Sequence, residues 1–295
     1  MKDRIFFYLP GFFDRMHMQL TVYQLMEKYP EAFYENIGIG AVYGSFPGAV
    51  WNGGRTLLGS CDTEQADYVI GEFAKRGIRL RFTFTNPYLT GEHLKDPFCN
   101  SCLELGLKHG GLCEVLVNSP LLEEYLRREY PDIPLISSTT KQIRNVTELS
   151  QELKKDYKLV VAYKSLNNTE ELFSMEGKER LEILTDSFCM DDCPRSAEHY
   201  EEAAKAQLEG REPEFPGCRA INRDFYGFME NRSFVTVEDL YGRYYDAGFR
   251  HFKLDGRTFT DADVIESYVY YMVKPEMTDK VRLIIHKTME KLGRI

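Results

Sequence analysis

No apolar stretch in this 295-residue chain approaches the length of a membrane-spanning helix. No signal-peptide core follows Met1-Lys2-Asp3-Arg4-Ile5, which runs directly into strand-like sequence. A cytoplasmic location and no membrane partner are therefore expected. Positive charge is also scarce. Lys and Arg number 37 against 46 Asp and Glu, a formal net charge of −9. That excludes a general nucleic-acid surface, because phosphate binding needs clustered cations. A Gly-rich fingerprint is missing after the first strand, which counts against a doubly wound dinucleotide-binding sheet. No shift in composition marks a linker, so residues 1–295 are read as one domain. The seven cysteines are odd in number and carry no export signal. They point to reduced thiols, some of them metal ligands, rather than to a disulfide framework.

What is present is a rhythm of strand and helix. Short apolar runs are expected as strands at Ile5–Leu9, Ile37–Tyr43, Leu80–Thr85, Cys113–Val117, Pro134–Ser138, Leu159–Tyr163, Leu181–Leu184 and His251–Leu254. Amphipathic stretches fall between them, among them Thr63–Lys75, Pro97–Lys108, Leu121–Tyr130 and Val146–Lys155. Val237–Ala247 precedes the last strand, and Ala262–Val273 and Met277–Leu292 follow it. Eight strands alternating with helices at roughly 30-residue spacing predict a (β/α)8 barrel of the TIM type. The rhythm breaks once. After strand seven a polar, cysteine-containing insertion at 189–235 intervenes before the last round.

In such a barrel the active site is built at the C-terminal strand ends. Those ends bring Asn86, Asn118, Ser138, Lys164, Asp186-Ser187 and Asp255-Gly256 to one mouth. Asn86, Asn118, Ser138 and Arg257 are read as substrate-binding residues, against the plain alternative that such loops are polar anyway. Lys253 and Asp255 are two residues apart in an extended segment and so share a face, as an acid–base pair would; an ion pair is the simpler alternative. Lys164 ends strand six, where a Schiff-base lysine would project. Arg55 and Arg257 stand beside glycines and suit a carboxylate or phosphate.

Cys61, Cys99, Cys102 and Cys113 read as buried small hydrophobes. Cys189, Cys193 and Cys218 differ, because all three fall in loop sequence at the mouth. Thiolates bind soft metals, so the three are candidate ligands of an iron–sulfur cluster. With His199 they would equally make a Cys3His zinc site.

Cys189, Cys193-Pro194 and His199-Tyr200, with Pro216-Gly217-Cys218-Arg219 further on, resemble the cluster region of peptidase U32-like barrels. Val117-Asn118-Ser119-Pro120-Leu121-Leu122 and Ile136-Ser137-Ser138-Thr139 are similar to the middle strands of that group. The resemblance covers about half the chain. It implies a [4Fe–4S] protein, with activities in oxygen-independent hydroxylation or RNA base modification among its members. That family's pattern has four cysteines, one in a Ser-Gly-Arg-Cys-like stretch that this chain lacks. Either Cys99 or Cys102 completes the set, or one iron is open to substrate. A radical-SAM Cys-x3-Cys-x2-Cys triplet is absent.

Three functions are thus in view. The first is an iron–sulfur enzyme acting on a small polar molecule through hydroxylation, sulfur or dehydration-type chemistry, with a redox partner if the cluster carries electrons. The second is a metal-independent lyase or aldolase using Lys164. The third is a non-catalytic protein with a structural zinc.

Overall fold

The strand–helix alternation closes on itself. In the computed structural model, which describes residues 3–191, 193–218, 224–256 and 260–293, eight parallel strands form a closed barrel in sequence order. They are β1 Ile5–Pro10, β2 Ile37–Gly44, β3 Leu80–Phe84, β4 Cys113–Val117, β5 Leu135–Ser137, β6 Leu159–Val161, β7 Leu181–Leu184 and β8 His251–Lys253. Closure is made by β8 against β1, with Phe6 opposite His251 and Tyr8 opposite Lys253. The (β/α)8 expectation from the sequence is met.

The helices are α1 Met16–Lys28, α2 Thr63–Ala74, α3 Pro97–Lys108, α4 Pro120–Glu129, α5 Val146–Leu153, α6 Glu170–Phe173, α7 Ser196–Glu209, α8 Phe225–Phe228, α9 Val237–Asp239, α10 Asp261–Met272 and α11 Thr278–Lys291. Several start where the sequence supplies a cap. Asp62, Asp96, Ser119, Asn145 and Thr169 each accept a backbone N–H of the first turn. Pro97 and Pro120 open α3 and α4, where a missing N–H costs nothing. The helix expected over Val237–Ala247 is present over residues 237–246, with α9 as its start and a π-helical turn at Leu240–Tyr244 inside it. No helix among the described residues is long and apolar enough to cross a membrane.

The larger surprise is α7, fourteen residues inside what reads as polar loop sequence. Its buried positions include Ala203, Ala204, Ala206 and Gln207. An alanine stripe packs as closely as a leucine stripe but carries little hydropathy, so periodicity hardly registers it.

Strand alternation decides what fills the barrel. Tyr8, Ala41, Tyr43, Leu116, Ile136, Leu159 and Val161 pack together inside it. The other strand faces join the apolar layer beneath the helices. Toward the N-terminal strand ends the interior is charged. Arg81 donates to Glu114 at 2.7 Å and to Glu182 at 2.5 Å, and its guanidinium lies 4.0 Å from the Tyr8 ring centre. Lys158 reaches Glu114 from outside at 2.6 Å. These ions form a floor, and the candidate site lies at the opposite end.

Candidate functional site

The upper interior side chains open into a cavity of about 240 Å³ at the C-terminal mouth. Tyr43, Thr83 and Leu116 line it from β2, β3 and β4, and Lys253 and Asp255 from β8 and the residues after it. The Lys253 ammonium sits 3.9 Å from the centre of the Tyr43 ring. The Tyr43 hydroxyl in turn donates to the Leu254 carbonyl at 2.6 Å.

Behind Asp255 lies Asp186, a residue whose role the sequence leaves unmarked. Asp186 is fully buried just past β7. It accepts the Asp255 backbone N–H at 2.6 Å and the Ser267 hydroxyl at 2.6 Å. Burial, reinforced by the neighbouring Asp255, pushes its carboxyl up to about 7.

Helix α7 roofs the cavity, and polar contacts pin it at both ends. Near its start the Ser196 hydroxyl accepts from Arg144 at 2.7 Å and from the Tyr163 hydroxyl at 3.2 Å. Near its end Gln207 accepts the Leu57 N–H at 2.7 Å and the Asn52 amide at 3.2 Å. Thr56 donates to the Ala203 carbonyl at 3.0 Å. The long β2–α2 loop and the β7–β8 connection therefore hold each other over the mouth.

Beside this chamber a smaller cavity of about 140 Å³ is lined by Cys189, Cys193, Cys218 and His199. Phe188, Cys189 and His199 line both spaces and so form the wall between them. The turn carrying Cys189 is held from two sides. Lys164 donates to the carbonyls of Cys189 and Met190, and the Asn231 amide donates to those of Ser187 and Cys189. Burial pushes the Cys189 thiol up; Lys164 opposes this, while Cys193 and Cys218 are close enough to add to it. His199 stacks on Phe215 with ring centres 4.5 Å apart, and burial followed by Arg195 lowers its pKa. Among the described residues, no three His, Cys, Asp or Glu side chains are grouped tightly enough to hold a single metal ion.

The residues singled out in the sequence thus divide. Lys253, Asp255, Lys164, Ser138 and Cys189 meet at the main cavity, and Cys193 and Cys218 join Cys189 next door. Asn86 does not face the chamber. It is buried, donating to the Ala204 and Asn52 carbonyls and accepting from the Tyr88 N–H. Asn118 donates to the Thr140 hydroxyl and lines an outer groove with Glu123, Arg127 and Lys141. Arg257 lies outside the described residues. Lys164 lines the chamber, and its buried amine is engaged by two backbone carbonyls, which a Schiff base would have to displace. Cys99 and Cys102 are buried in α3, with Cys102 beside Cys61 rather than beside the mouth thiols.

No known family profile and no curated protein matches the sequence. Among solved structures, one described as "The Structure of the U32 Peptidase Mk0906" superposes with a TM-score of 0.51 at 19% identity. The match covers 86% of this chain and 93% of the other. At that identity the likeness supports a U32-like barrel fold.

Proposed function

We propose that the chain is an iron–sulfur enzyme acting on a small polar molecule held in the roofed chamber. One observation carries the proposal: three thiols line a cavity whose dividing wall, Phe188, Cys189 and His199, is also a wall of that chamber. The donor set fits such a group, being three soft sulfurs with no carboxylate among the described lining residues. A cuboidal cluster spreads its thiolates farther apart than one tetrahedral zinc does. The cavity supplies three thiols for such a spread. When bound, the cluster supplies electron transfer, or a Lewis-acid position at an iron that lacks a protein ligand.

The chain's own groups supply the rest. Lys253 and Asp255 give the chamber a cation and a carboxylate for orienting a polar substrate and moving its proton. Asp186 positions Asp255 through its backbone N–H. Lys164 holds the Cys189–Met190 turn, and α7 covers one side of the mouth. The structural relative is titled a peptidase, but the chamber here fits a small molecule better than a polypeptide strand. The Cys189 thiol is pushed up by burial, opposite to the activated thiolate of a cysteine protease.

Purification without oxygen, with iron and sulfide analysis and an absorbance spectrum, tests the proposal. A brown protein carrying iron and sulfide is expected, and Cys189→Ser, Cys193→Ser and Cys218→Ser should each remove most of the iron. A colourless protein with stoichiometric zinc would overturn it.

A further inference from the structure

We infer that His199 is the fourth protein ligand of the cluster on Cys189, Cys193 and Cys218; the inference rests on the function proposed above. Three cysteines leave one corner of a cuboidal cluster to fill. The four other cysteines are placed elsewhere. Cys99 and Cys102 are buried in α3, Cys61 lies beside Cys102, and Cys113 lies at the start of β4. The cavity that gathers the three thiols has one imidazole on its wall, His199. The other lining side chain with a donor atom is the thioether of Met190, a much weaker partner for iron.

The surroundings of His199 point the same way. Its ring is fixed in plane by Phe215, whose own ring lies 4.3 Å from the Arg195 guanidinium. Its side chain is only partly buried, and neither ring nitrogen is hydrogen-bonded to a described residue. The ring also lies on a rigid element, in the first turns of α7, which Ser196 and Gln207 hold at either end. Cys193, six positions before it, sits just ahead of the same helix. One helix start thus brings a thiol and an imidazole to one cavity.

Ligation by His199 gives the site a specific character. Three thiolates and a neutral imidazole carry one negative charge fewer than four thiolates, which raises the reduction potential. It also fills the corner that would otherwise be open to substrate. The cluster's role is then electron transfer rather than Lewis-acid activation. Because His199 borders the chamber as well, the imidazole joins Cys189 in linking the cluster to a bound molecule.

The test uses the full chain, reconstituted without oxygen with iron and sulfide. In wild-type protein labelled with 15N-histidine, pulsed EPR of the reduced cluster should show a strongly coupled nitrogen. His199→Cys should keep the full iron content, lose that coupling and shift the potential downward. His199→Ala should lose the coupling and yield a cluster that readily sheds one iron. The wild-type measurement needs no variant, so a folding defect in either substitution does not spoil the test. A full cluster without nitrogen coupling, with spectrum and potential unchanged in His199→Ala, overturns this inference and leaves the iron–sulfur reading standing. Wild-type protein that takes up no iron overturns both.

Discussion

The side-chain amine of Lys164 donates to the backbone carbonyl of Cys189, a residue that lines both cavities. A second donation, to the Met190 carbonyl at 2.8 Å, makes the lysine a clasp across the base of the turn. Hydrogen bonds from charged groups contribute about 1.5–3 kcal/mol each where they are buried. Lys164→Met should therefore loosen the turn. Iron retained after anaerobic reconstitution should fall well below wild type while the far-ultraviolet circular dichroism is kept. Borohydride treatment with carbonyl compounds should label no lysine at this position; a trapped adduct on Lys164 would restore the lyase reading.

Asp186 should make stability fall as pH rises. Its folded carboxyl is pushed up to about 7, whereas an unfolded aspartate titrates near 3.9. Its contribution is then fully present below the unfolded value and lost as pH rises through the folded one. Asp186→Asn keeps groups that can accept from the Asp255 N–H and meet Ser267. The variant should thus gain stability relative to wild type between pH 4 and 7, by a few kcal/mol at most, as read by urea unfolding across that range. A difference that does not change with pH would show that the carboxyl is not held protonated.

His251 acts in the opposite direction. Burial, the largest cause, lowers its imidazole to about 4. A buried neutral histidine costs nothing above its unfolded pKa, and stability is lost as pH falls from about 6.5 toward the folded value. His251→Gln should flatten the acid limb of the stability profile over that window, while leaving stability at pH 8 lower by about 1 kcal/mol for the lost Tyr8 contact.

The charged floor of the barrel predicts a large single-site effect. Arg81→Met leaves Glu114 and Glu182 without their shared partner in a fully buried layer. Removing one member of a buried ion network typically costs about 3–5 kcal/mol. Denaturant unfolding should show a loss of that order, and adding Glu114→Gln and Glu182→Gln to the variant should recover much of it.

Gln207 tests the roof. Gln207→Leu leaves the Leu57 N–H without its acceptor and removes one of the two acceptors of the Asn52 amide, which keeps the Arg55 carbonyl. Leaving such groups unpaired costs about 1–3 kcal/mol. Hydrogen exchange should quicken in α7 and the β2–α2 loop, with the strands unaffected.

Much of this architecture is legible in the chain itself. The bounds expected for β4, β7 and α3 match the structure, because short apolar runs and a proline at a helix start are local signals. Period-two alternation also foretells that Lys253 and Asp255 reach the same cavity. The same rule, applied to Asn86, could have corrected its assignment. Arg81, Thr83 and Thr85 take the inward phase of β3 and the residues after it, and Asn86 falls out of step.

What the sequence determined alone is thus the barrel, its register of inward and outward residues, and the three mouth cysteines as a group apart. Those follow from periodicities and residue types that act over a few positions. Tertiary structure alone decided that α7 roofs the mouth, that Lys164 clasps the Cys189–Met190 turn at the chamber wall, and that Asp186 stands behind Asp255. It also set His199 and Cys189 on a wall shared with the chamber. Each of these depends on where a long connection folds back, and that choice is made by buried polar partners such as Gln207 with Leu57, 150 positions apart. Hydrogen bonds at that separation leave no periodic trace along a chain.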